Sequence, residues 1–94
     1  LISVIGNKAN ISKQDREKAV RKLEQLLFNC LRKGDVFCRW NPSQILLLLA
    51  NLSESNLKLI KDRVQSKFKE IVDEKKFTLK FNFQPISALD SFIA

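Results

Sequence analysis

The chain has no histidine, and its two cysteines, Cys30 and Cys38, do not form a CxxC pair. Structural zinc sites draw their ligands from those residue types at short spacings, so no metal site of that kind is expected. Two cysteines without a secretory signal instead predict a reducing, cytoplasmic setting. No apolar run approaches the roughly 18 residues of a membrane-spanning helix, so no membrane partner is expected. Only two Gly and two Pro occur among 94 residues that are 45% hydrophobic, which excludes a disordered chain. No block of five or six like charges occurs. Acidic residues are missing before Asp15.

The chain's length allows one domain with a modest core. It begins at Leu1 rather than Met, and we expect a domain excised from a longer protein. The net charge of +7 and the pI near 9.7 favour anionic partners in principle. The cations are dispersed along two helical segments, however, as on an ordinary solvated surface.

Leu1 to Ile5 is a β-branched, apolar run that Gly6-Asn7 ends, which predicts a first strand. Ser12 is placed to cap a helix whose first turn holds Asp15. Ala19, Val20, Leu23, Leu26, Leu27, Cys30 and Leu31 then recur at three- and four-residue spacing, one stripe of a long helix. Gly34 is the expected stop signal. Val36 to Trp40 predicts a strand, Asn41-Pro42-Ser43 a turn, and Ile45 to Leu49 a strand apolar on both faces. One face would meet the helices; the other needs a partner, a neighbouring domain or a ligand, or stays exposed.

Asn51 to Asn56 reads as a loop and cap region. Leu57, Ile60, Val64, Phe68, Ile71 and Val72 mark a second amphipathic helix. Glu74-Lys75-Lys76 is a turn. Phe77 to Gln84 alternates apolar and polar, a half-buried strand whose Phe77, Leu79, Phe81 and Phe83 share a core face. Pro85 stops it, and Ser87 to Ala94 is an apolar tail with the character of a short helix. The order strand, helix, strand, strand, helix, strand, with right-handed crossovers, gives an α+β fold. It is a ferredoxin-like βαββαβ sandwich, a four-stranded antiparallel sheet with two helices on one face.

The run from Leu31 to Leu49 resembles the core of GGDEF domains of bacterial diguanylate cyclases, which show LRxxDxxxRxGGDEFxxLL. Leu31, Arg32, Asp35, Arg39, Leu48 and Leu49 match in register, while the signature is replaced by Asn41-Pro42-Ser43-Gln44-Ile45. The gapless match extends to Arg63, and GGDEF domains share the core topology read above. Those enzymes join two GTP molecules into cyclic di-GMP. The resemblance implies magnesium held by carboxylates on the first strand and in the signature. Here the first strand has none, and neutral Ser43 and Gln44 replace the signature acids, so no catalysis and no cofactor are expected. Asn41 and Pro42 also replace the glycines that admit the nucleotide.

Many GGDEF domains bind cyclic di-GMP at an inhibitory RxxD site. Arg32 and Asp35 have that form, with five residues between Asp35 and Asn41, and Arg63 falls where a second helix supplies a further arginine. Arginine can fork onto phosphate or guanine, and a carboxylate can accept from guanine. The run from Arg32 to Leu49, with its turn Trp40-Asn41-Pro42-Ser43-Gln44, also resembles the degenerate GGDEF-like domain at the C-terminus of some bacterial SARP-type transcriptional activators. In those proteins neighbouring domains contact DNA.

The leading expectation is therefore a non-catalytic regulatory or interaction domain of a bacterial signalling or transcription-regulating protein. Its partners would be other domains of the same protein or a homodimer partner, met through Trp40, Leu46 and Leu48. A cyclic di-GMP receptor using Arg32, Asp35 and Arg63 is the alternative. RNA-recognition domains share the strand order but carry aromatics on central strands. Here the aromatics cluster in the last strand, which weighs against nucleic acid on the sheet.

Overall fold

The computed structural model describes residues 1–7, 10–50, 52–73 and 75–84. Four strands and two helices follow in the order β1 (Ile2–Gly6), α1 (Lys13–Cys30), β2 (Val36–Asn41), β3 (Gln44–Leu48), α2 (Glu54–Ile71) and β4 (Phe77–Phe81). The strands form one antiparallel sheet in the order β2-β3-β1-β4. This is the ferredoxin-like arrangement that the element order implied. Pro85 and the apolar tail from Ser87 lie outside the described residues.

Local chemistry sets the helix starts. The Ser12 hydroxyl accepts the Asp15 amide at 3.0 Å, and the Ser53 hydroxyl accepts the Asn56 amide at 3.3 Å. Each cap satisfies an amide that has no partner within its helix. The second cap places the helix start at Glu54, inside the stretch read as a loop.

α1 ends at Cys30, earlier than Gly34 suggested, because Leu31 already has extended backbone. Gly34 does its work in the turn that follows, where its φ of 97° suits a residue without Cβ. Gly6 has a different role. A Cβ there would lie 2.7 Å from Ile11 Cδ1, so glycine leaves room for the Ile11 side chain against the end of β1.

The core lies between the sheet and both helices. Ile2, Val4, Ile45, Phe77 and Leu79 point into it from the strands. Ala19, Val20, Leu23, Leu26 and Leu27 enter from α1, and Val64 and Phe68 from α2. Cys30, Leu31, Ile60 and Val72 pack at its margin, as does Phe81. Ile71, read as part of the buried stripe, is 43% exposed because it stands on the last turn of α2. Phe81 and Phe83 stack with ring centroids 5.9 Å apart, and the Lys61 ammonium stands 5.8 Å from the Phe81 ring centre.

Strand alternation then assigns the opposite face of the sheet. Ser3 and Ile5 of β1, Gln44, Leu46 and Leu48 of β3, and Thr78 and Lys80 of β4 point away from the core. On β2, Phe37 packs on the core and Arg39 reaches α1, so Val36 and Cys38 face outward. The ladder of β2 on β3 shifts register between Arg39 and Asn41, at Trp40.

Candidate functional site

Arg32 and Asp35 sit in the connection from α1 to β2, and the structure brings them together. The Asp35 carboxylate accepts the Arg32 backbone N–H at 3.0 Å and Arg32 Nε at 3.2 Å. It also accepts the Ala50 backbone N–H at 3.3 Å. Arg32 Nη2 meanwhile donates to the Ala50 carbonyl at 2.7 Å. The pair therefore ties the α1–β2 connection to the segment leaving β3.

The Asp35 side chain is 2% exposed and that of Arg32 49%. Burial alone would raise the Asp35 pKa. The hydrogen bonds from Arg32 and Ala50 outweigh it and hold the carboxyl below its ordinary value. Both carboxylate oxygens are thus engaged within the chain.

Arg63, the third residue of the candidate set, is exposed on α2. Among the described residues no hydrogen bond or ion pair joins it to Arg32 or Asp35. It stands nine residues beyond Glu54, roughly 14 Å along the helix axis. Two cavities lie between the helices and the sheet, elsewhere. One of about 250 Å³ is lined by residues including Gln65, Phe68 and Phe77. The other, about 170 Å³, is lined by residues including Lys18, Lys22 and Ile71. Both fall below the roughly 300 Å³ at which small-molecule pockets begin.

The turn from Asn41 to Gln44 is closed by its own side chains. Asn41 Oδ1 accepts the Ser43 backbone N–H at 3.0 Å and the Ser43 hydroxyl at 3.3 Å. Asn41 Nδ2 donates to Gln44 Oε1, and Gln44 Nε2 donates to the Ser3 hydroxyl at 2.9 Å. The Val4 amide donates to the Ser43 carbonyl at 2.8 Å, so the turn is pinned to β1. These residues do not fit magnesium. Ser43 and Gln44 offer only neutral oxygens, and that of Gln44 already accepts from Asn41, whereas a hard cation prefers carboxylates. Among the described residues no group of three His, Cys, Asp or Glu side chains is arranged to hold a metal ion.

Arg39, another residue matching the family frame, makes contacts that sequence reading missed. Its Nη1 donates to Glu17 Oε1 and Oε2 at 2.7 and 2.8 Å, and its Nη2 to Glu24. Arg21 adds a bond to Glu17 at 3.2 Å. Hydrogen bonding to Arg39 lowers the Glu17 pKa, and the two glutamates raise that of Arg39. The available signal was the seven-residue spacing of Glu17 and Glu24, two turns of one helix face.

The interaction residues are placed as follows. Leu46 and Leu48 lie on the outward sheet face, directly across from Cys38 and Val36. Val36 is 54% exposed, Leu48 44% and Trp40 62%. Trp40 borders this cluster at the end of the edge strand. Lys80 is the one charged side chain among the described outward strand residues, in a chain of net charge +7. No described helix is long and apolar enough to cross a membrane. Compared with family models, with curated proteins and with solved structures, the chain matches none.

Proposed function

We propose that this is a non-catalytic, regulatory protein-interaction domain, of the kind found in bacterial signalling and transcription-regulating proteins, and that it acts in the cytoplasm through the outward face of its sheet. The observation that carries this reading is a cluster of apolar side chains on a sheet face with one described charge, although the helices also expose Phe28 and Leu59 among their charges. Each helix carries five Lys or Arg residues, whereas the sheet face shows Val36, Cys38, Leu46 and Leu48 with only Lys80 charged among its described positions. A membrane-binding face would ring its apolar patch with cations, and a nucleic-acid face would place them on the sheet. A protein surface of apolar character suits it better.

The resemblance to GGDEF domains supports the regulatory setting. The residues in the signature's place support no catalysis. Arg32 and Asp35, the candidates for cyclic di-GMP, are engaged with each other and with Ala50. A nucleotide that used the Asp35 carboxylate would compete with those bonds.

The test is substitution of Val36 and Leu48 together by lysine. Loss of neutral apolar-dye binding with little change in melting temperature is the expected result. A large fall in melting temperature would show that these side chains serve the chain's own fold, and would overturn the reading.

A further inference from the structure

We infer that the edge of β4 takes an extended, acidic peptide segment of a partner protein as an added antiparallel strand. This edge is separate from the outward sheet face and needs neither Val36 nor Leu48.

Among the described residues β4 pairs only with β1, so it closes one side of the sheet. Its ladder is unbroken from Ile2 opposite Phe81 to Gly6 opposite Phe77. Leu1 and Asn82 exchange backbone hydrogen bonds at 2.8 and 2.9 Å. Bonded pairs alternate along an antiparallel ladder, so Lys80 and Thr78 also turn their backbone groups towards β1. Leu79 and Phe81 therefore turn N–H and C=O to the open side, at the two-residue repeat that a further strand needs. The other edge is blunted. The ladder of β2 shifts register at Trp40, and Arg39 points a charge inward beside it.

A cavity adjoins the open edge. It holds about 250 Å³ between α2 and β4 and is lined by Gln65, Phe68, Lys69, Phe77, Thr78 and Leu79. That is too small for a typical small-molecule ligand, but it has room for a side chain. In strand addition the backbone supplies affinity, and pockets for alternate side chains supply specificity. A guest residue opposite Leu79 shares its face and points towards α2. An apolar side chain suits that position.

Charge selects the guest. Lys61 and Lys69 stand one turn either side of Gln65, Lys61 lies 5.8 Å from the Phe81 ring centre, and Lys80 lies on β4 itself. Among the described residues none of the three makes an ion pair. Asp62 lies about 60° around α2 from Gln65 and Glu70 about 140°, so one acid faces three cations. A second copy would set +7 against +7. A nucleic acid would meet the lysines but has no peptide backbone to continue the ladder.

Fluorescence polarisation with a labelled eight-residue peptide alternating leucine and glutamate tests this. Saturable binding is expected. N-methylation of the leucines, whose N–H groups would face β4, should weaken it about tenfold or more. N-methylation of the glutamates should leave most of it. Replacing the leucines by alanine, or Lys80→Glu in the protein, should weaken it about fivefold. Circular dichroism checks that Lys80→Glu folds; if it does not, the peptide series on the unmodified chain decides. Val36→Lys with Leu48→Lys should bind the peptide unchanged, so this edge and the outward face are judged separately.

No saturable binding would overturn the inference. Binding that survives N-methylation of the leucines would also overturn it, because charge attraction alone would then explain the affinity. Self-association of the unmodified chain that Lys80→Glu strengthens would give the edge to a second copy instead.

Discussion

Removing the Asp35 carboxylate should destabilise the fold more than removing its arginine partner. In Asp35→Ala the backbone N–H groups of Arg32 and Ala50 lose their acceptor, as does Arg32 Nε. A hydrogen bond to a charged acceptor contributes about 1.5–3 kcal/mol net. The donors sit in surface connections, and the half-exposed Arg32 can rehydrate, so the losses do not sum. A total of about 2–3 kcal/mol follows, well short of the 3–5 kcal/mol for breaking a fully buried pair. For a domain of this size each kcal/mol moves the melting temperature by about 4–8 °C, so a fall of about 10–20 °C is expected.

Arg32→Ala leaves the aspartate with both backbone donors and should cost only about 1 kcal/mol. Asp35→Asn keeps one accepting oxygen but turns an N–H₂ towards donors, and should fall between the two. Thermal melts by circular dichroism give the order. Arg32→Ala costing as much as Asp35→Ala would refute the argument, because the ion pair and not the backbone staple would then dominate.

The same carboxylate sets an acid limit. Its pKa is held below the unfolded value near 3.9. The aspartate's contribution is therefore fully present above that value and is lost as pH falls through the folded-state pKa. The stability of Asp35→Asn should respond less to pH in that window than that of the unmodified chain.

Arg39→Ala should lower the melting temperature by a few degrees in low salt and less in high salt, since the pairs with Glu17 and Glu24 are partly exposed and screened. Ser12→Ala and Ser53→Ala should each cost about 1 kcal/mol in denaturant melts. Gly34→Ala should cost about 1–2 kcal/mol by the same measurement, because its φ of 97° disfavours a side chain. Calorimetric titration with cyclic di-GMP, run beside Arg32→Ala, should give no saturable heat. Binding that the variant abolishes would instead make Arg32 and Asp35 a ligand site.

The start of α1 was legible in the sequence because a cap is a local device. Ser12 and the apolar stripe behind it need only neighbours three and four residues away. The end of α1 was less so, because a glycine marks a left-handed residue without saying whether a helix or a turn uses it. The ladder of β4 on β1 runs from Phe77 to Phe81, although the alternation continues to Gln84. Alternation records which side chains face the core, not where the ladder partner ends. On β3 the letters gave no alternation at all. Ile45 is buried and Leu48 is 44% exposed, and both are apolar. The long-range bonds of Asp35 to Ala50 and of Arg39 to Glu17 and Glu24 had no local signature beyond the spacing of the two glutamates.

The matches to the GGDEF frame can now be weighed by what each residue does in this fold. Leu31 packs at the core margin, Arg32 and Asp35 staple two connections, and Arg39 bridges the sheet to α1. Each has a sufficient structural reason to be present, so none of them adds weight to a nucleotide function. The positions that differ are those where metal or nucleotide chemistry would be carried, and there the side chains of Asn41, Ser43 and Gln44 close the turn on itself. Leu48 is the exception among the matching residues. It is half exposed, across from Val36 on a face with one described charge. Its exposed part, beside that of Val36, is where an outside partner should be sought, on the sheet face rather than at Arg32 and Asp35.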